Sequence, residues 1–142
     1  MSRVYIPKQL RERVATRAGY RCAYCRTSAH LVGTTFEIDH IIPESLGGRT
    51  EEENLCLACP TCNGRKSNRV AAIDEITGET ILLFDPNRQP WHEHFGWNES
   101  RDEIIGLTPT GRATVTALDL NRPVLVYARC LWVRWGRHPP ED

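Results

Sequence analysis

Leu10 and Val14 lie four apart between Pro7 and Ala18, with Gly19 behind them, and this spacing predicts a helix over 7–18. Phe36 to Ile41 is β-rich and predicts a strand. Pro43 and Gly47-Gly48 predict a loop after it. Thr50 with Glu53 has capping-box spacing and predicts a short helical turn. Pro60 predicts the start of a second helix running through CNGRKSNR. Beyond Val70 the pattern changes. AAIDEITGETILLF predicts a hairpin turned at Thr77-Gly78, and HEHFGWNESRDEIIGLT predicts another turned near 98–102. Thr108-Pro109 opens a helix through Leu118, and Asn121 is expected to cap one that holds Leu125, Ala128, Leu131, Trp132 and Trp135. These elements predict an α+β fold. They divide into a motif-bearing part over 1–70 and a hairpin-and-helix extension over 71–142 that packs on it and covers a motif marginal alone. The seam near residue 70 does not have the composition of a flexible linker, and no internal repeat or low-complexity tract is present.

Composition adds constraints. At 142 residues, 40% hydrophobic and 25% charged, the chain has the make-up of an ordinary globular protein. No run of about 18 apolar residues occurs, so no membrane helix is expected. The start, MSRVYIPKQLRERVATRAG, lacks the apolar stretch of an export signal, and a cytoplasmic location is expected. Net charge is zero, but residues 1–70 hold 11 Lys+Arg against 7 Asp+Glu, and residues 71–142 hold 7 against 11. The basic half is the half with the cysteine motif, a modest pointer to nucleic acid.

Four of the six cysteines form two C-x-x-C pairs, Cys22/Cys25 and Cys59/Cys62. This spacing turns two thiolates toward one ion, and two pairs make a tetrahedral Cys₄ zinc site. A metal cross-link would supply folding energy that the segment between the pairs, poor in apolar residues, lacks. Two disulfides are disfavoured without export, and a redox C-x-x-C belongs in a βαβ pattern absent here. Cys56 and Cys130 are expected to be reduced core cysteines.

Asp39 and His40 stand in an otherwise apolar run of Phe36, Ile38, Ile41 and Ile42, where polar groups are costly unless partnered. On a strand they face opposite ways. A carboxylate suits Mg²⁺, which keeps water and phosphate as its other ligands. A neutral imidazole takes a proton from water near neutral pH. Together they are parts for metal-assisted phosphodiester hydrolysis. Asn63, directly after Cys62, offers an amide oxygen to complete a metal site with Asp39. Asn54 is placed to hold the loop backbone and so fix the His40 ring.

The order Cys22-Ala-Tyr-Cys25, Glu37 to Gly48, Glu53-Asn54-Leu55, then Cys59-Pro-Thr-Cys62-Asn63-Gly-Arg-Lys66 resembles the HNH endonuclease family in its zinc-containing form, over about residues 20–69. The resemblance implies a ββα-metal (His-Me finger) core with a structural Cys₄ zinc. It implies that His40 is the general base, Asp39 the first ligand of a catalytic Mg²⁺ or Mn²⁺, Asn54 the supporting middle residue, and Asn63 a ligand where many members have His. The chain would be an H-N-N variant that cuts DNA, leaving a 5′ phosphate and a 3′ hydroxyl. The alternative is a zinc-stabilised DNA-binding module without catalysis.

Arg49, Arg65, Lys66 and Arg69 are candidate phosphate contacts, which position a duplex without reading sequence. His92 and His94, two apart on the expected second hairpin, would share a face, but with no further ligand nearby they are expected to pack. The tryptophans of 91–97 and 132–135 are expected to build a core rather than stack on bases. The extension resembles a tail seen behind the HNH core in many short bacterial proteins. It names no activity, and it offers a candidate surface for a homodimer.

Overall fold

A computed structural model describes residues 4–140. The fold is α+β, with three small two-stranded antiparallel sheets among six helices in the described residues. It divides into two compact units, 4–70 with 85–88, and 71–84 with 89–140.

In the first unit, helix α1 (Lys8–Arg17) ends where Gly19 and Tyr20 take left-handed backbone, φ 63° and 58°. A four-residue helix α2 (Ala29–Val32) is capped by the Ser28 hydroxyl, which accepts from the Leu31 N–H, and stops at left-handed Gly33. Strand β1 (Glu37–His40) pairs with β2 (Leu55–Ala58), Glu37 opposite Ala58 and His40 opposite Leu55. Val14 of α1 packs on Leu55 and Leu57 of β2, with Ile6, Leu10, Phe36 and Ile38 around them. All four β2 residues are buried. Asn87 is tied into this unit because its amide nitrogen donates to the Glu53 and Leu55 carbonyls at 3.0 and 2.9 Å.

Helix α3 (Pro60–Lys66) follows β2 directly, so the chain runs strand, strand, helix through the cysteine motif. It is shorter than expected, because Ser67 takes φ 51° and ends the helical path. The expected capping box does not form either. The 3₁₀ turn Glu52–Asn54 is preceded by Glu51 and has no side-chain cap, since the Thr50 hydroxyl bonds elsewhere.

In the second unit, β3 (Ala71–Ile73) pairs with β4 (Thr80–Leu82) around a turn that uses left-handed Gly78. Residues Trp91–His94 form a helical turn, α4, and not a strand as expected. Strand β5 (Phe95–Trp97) then pairs with β6 (Ile104–Gly106). Helix α5 (Pro109–Leu118) is capped by the Thr108 hydroxyl, which accepts from the Gly111 N–H. A side chain at Gly111 would put Cβ 2.0 Å from the His94 carbonyl oxygen, so only glycine lets α5 approach that closely. The Asn121 side chain does not cap α6 (Pro123–Arg134). It bonds both the N–H and the carbonyl of Ile104, at 2.7 and 2.8 Å.

Phe84, Phe95, Trp91, Leu118, Leu120 and Trp132 fill this unit's core. Phe84 meets Phe95 edge-on, with centroids 5.0 Å apart. Trp135 is the exception to the expected tryptophan core, being exposed. No helix among the described residues is long and apolar enough to cross a membrane.

Candidate metal centre and active site

Cys22 and Cys25 sit in a knuckle closed by two backbone bonds, Cys22 N–H to Thr27 O at 2.9 Å and Arg26 N–H to Cys22 O at 3.0 Å. Cys59 caps α3, its sulfur accepting from the Cys62 N–H at 3.4 Å, and Cys62 lies one turn in. The four sulfurs lie within 4.8 Å of one another, and Cys25 and Cys59 are 3.8 Å apart. A tetrahedron with Zn–S bonds of about 2.3 Å has edges of about 3.8 Å, so the cluster fits zinc. Among the described residues it is the one group of three or more Cys, His, Asp or Glu able to share an ion. Burial pushes the Cys22 thiol up, whereas hydrogen bonds from Cys22, Cys59 and Cys62 hold Cys25 well below the usual thiol range. The thiolate, and not the thiol, is the form that binds a metal ion.

The remaining cysteines differ. Cys56 is buried beside Tyr24 and Asp39, and burial pushes its thiol up. Cys130 is exposed, against the expectation of a core position, because it falls on the outer side of α6.

Asp39 and Glu37 share one face of β1 by alternation, and Asn63 and Lys66, three apart on α3, share one side of that helix. The two elements meet as two rungs. Asn63 Nδ2 donates to Glu37 Oε1 at 2.7 Å. Lys66 Nζ lies 3.2 Å from Asp39 Oδ2 and 3.4 Å from Oδ1, and donates to the His40 carbonyl at 3.1 Å. Tyr24 donates its hydroxyl to Asp39 Oδ2 at 2.8 Å. Burial raises the Asp39 carboxyl above the ordinary range, opposed by the Lys66 charge and by the hydrogen bonds from Tyr24 and Lys66.

His40 is half-buried, and its Nε2 is 2.9 Å from Thr50 Oγ1. The loop between them is closed by Asn54. Its amide oxygen accepts from the Ile42 N–H, and its amide nitrogen donates to the Ile42 and Arg49 carbonyls, all at 2.9 Å. Gly48 lies against this clamp. A Cβ there would sit 1.7 Å from the Ile42 oxygen and 2.9 Å from the Asn54 amide nitrogen, which leaves no room for a side chain.

Of the four basic candidates, Arg49, Arg65 and Arg69 are exposed. Lys66 is not. It is 1% exposed, so its pairing with Asp39 removes it from any phosphate. His92 and His94 lie on a helical turn, which separates their directions. His94 Nδ1 is 2.6 Å from Thr108 Oγ1, and His92 packs edge-on to Trp91. Two residues around the site were not singled out in the sequence. Tyr24 reads as filler between two cysteines, and Thr50 reads as a helix cap.

No curated protein and no solved structure gives a significant match to the chain. A family model described as HNH endonuclease matches residues 22–69, about a third of the chain. That family carries nuclease or DNA-binding function, and the match spans the cysteine cluster and both rungs. Residues 22–69 thus match the HNH endonuclease family, and their four cysteines fit its zinc-binding form.

Proposed function

We propose that this domain is a metal-dependent DNA endonuclease with His40 as general base. The setting of His40 carries the reading. A threonine hydroxyl can donate or accept. When Thr50 accepts from Nε2–H, the neutral ring is fixed in the tautomer whose Nδ1 keeps the lone pair that takes a proton from water. The hydroxide so formed attacks a backbone phosphorus, and cleavage leaves a 5′ phosphate and a 3′ hydroxyl.

Asp39 and Asn63 are the residues that would hold a Mg²⁺ or Mn²⁺ ion. Both offer hard oxygen donors. Asp39 Oδ1 receives a single contact, at 3.4 Å, and the Asn63 amide nitrogen is engaged by Glu37, which frees the amide oxygen. When bound, such an ion neutralises charge on the phosphate and on the departing oxygen. Asn54 keeps the loop from Ile42 to Arg49 closed, and with it the hydroxyl that steadies His40. Arg49, Arg65 and Arg69 meet backbone phosphates and position the duplex without specifying its sequence.

One feature favours the second reading, a zinc-stabilised DNA-binding module without catalysis. Lys66 already balances the charge of Asp39, a pairing that a pure binder could retain. Nicking of supercoiled plasmid separates the two. Zinc-loaded protein is expected to nick in Mg²⁺ or Mn²⁺ and to stop in EDTA. His40→Ala is expected to abolish nicking at unchanged zinc content. A gel shift without nicking supports the binder, and full activity in pure His40→Ala protein refutes the base assignment.

A further inference from the structure

We propose that Glu37 is a positioning residue for Asn63. Its carboxylate turns the Asn63 amide so that Oδ1, and not Nδ2, is presented to the divalent ion. This rests on the endonuclease reading above.

A carboxamide presents an acceptor on one side and a donor on the other, and the two orientations have nearly the same shape. A metal ion accepts only the oxygen, so half of the available orientations are wrong for binding. An ionised carboxylate only accepts. Glu37 Oε1 is 2.7 Å from Asn63 Nδ2, and that bond can form only with the amide nitrogen toward Glu37 and the oxygen turned away. The short distance marks a charge-assisted bond.

The strand supplies the reach. Glu37 lies two residues before Asp39 on β1, so both side chains face α3, where Asn63 sits one turn before Lys66. Each α3 residue thus has its own carboxylate. Glu37 is exposed and its bond to Asn63 closes no core, so a purely structural role is weakly supported. Outer-shell partners of metal ligands commonly change metal affinity by about 10–100-fold when removed.

The test is Mn²⁺ titration of zinc-loaded protein, with free Mn²⁺ followed by electron paramagnetic resonance. Glu37→Gln presents either an acceptor or a donor to Asn63 and so releases the amide to turn. It is expected to weaken Mn²⁺ binding about 10-fold at unchanged zinc content. In an Asn63→Asp background the ligand is oxygen on both sides and needs no orientation. There Glu37→Gln is expected to change Mn²⁺ affinity by less than about twofold, or to improve it by relieving repulsion between two carboxylates. An equal loss in both backgrounds means that Glu37 acts by its charge or as a ligand, and overturns the positioning role. No loss in either background overturns it as well. If the unmutated protein binds no Mn²⁺, the ion-dependent endonuclease reading itself fails, a result distinct from the other two.

Discussion

Lys66 is the residue at which burial most changes what the sequence suggests. It follows Arg65 on a short basic helix, where a lysine ordinarily lies in solvent. Here its ammonium contacts both Asp39 oxygens and the His40 carbonyl, with 2% of its side chain exposed. Removing one member of a buried ion pair strands the other charge and costs about 3–5 kcal/mol. Lys66→Ala is therefore expected to lower the unfolding free energy of zinc-loaded protein by that amount in chemical denaturation. An exposed phosphate contact would lose under about 0.5 kcal/mol. A loss that small, with weakened DNA binding instead, would return Lys66 to the surface. At this scale the four cysteines were legible because thiols at metal spacing are chemically conspicuous, and Asp39 and His40 stand out as polar groups in an apolar run. Tyr24 and Thr50 were not, because a phenol and a hydroxyl have many ordinary uses. Only the fold brings them to Asp39 and His40.

Among the elements, the turn between β3 and β4 is held by a clamp. Asp74 is 1% exposed, and both its oxygens accept from Arg112 of α5, at 3.0 and 2.9 Å. The Arg112 hydrogen bonds hold the Asp74 carboxyl down to about 2. An unfolded aspartate titrates near about 4. The folded state therefore binds the proton more weakly. The clamp's stabilisation is complete above about pH 4 and is lost as pH falls toward about 2. The unfolding midpoint of the native chain is expected to fall across that window, and Arg112→Met is expected to remove much of the slope. Equal slopes in the two proteins would contradict the clamp. Helices with capping or proline signals, such as α1, α3 and α5, were legible, as were both hairpin turns. Strand β2 was not, because it is buried on both faces and Leu55-Cys-Leu-Ala58 shows no alternation. Trp91–His94 misled because two histidines flanking Glu93 mimic strand alternation. Asn121 misled because a residue suited to capping is equally suited to bridging the Ile104 backbone.

For the whole molecule, each unit has its own apolar core, and only the first carries the cysteine cluster. The α+β class and the zinc cluster were legible because they depend on local spacing. The placement of Asp85–Arg88 with the first unit was not, because it depends on Asn87 bonding backbone carbonyls more than 30 residues away. The first unit's buried apolar cluster is small, centred on Val14, Leu55 and Leu57. Zinc binding there is folding free energy, so ligand loss is expected to unfold the unit rather than only empty a site. The rungs between β1 and α3 need Cys59 and Cys62 held against Cys22 and Cys25, and the placement of His40 and Asp39 depends on that frame. The most direct measurement is zinc per chain by native mass spectrometry during chelator titration, with amide spectra recorded on the same samples. One zinc per chain is predicted, and its removal should collapse the dispersed signals of residues 20–69. Protein that carries no zinc, or that keeps those signals after losing it, would contradict the account.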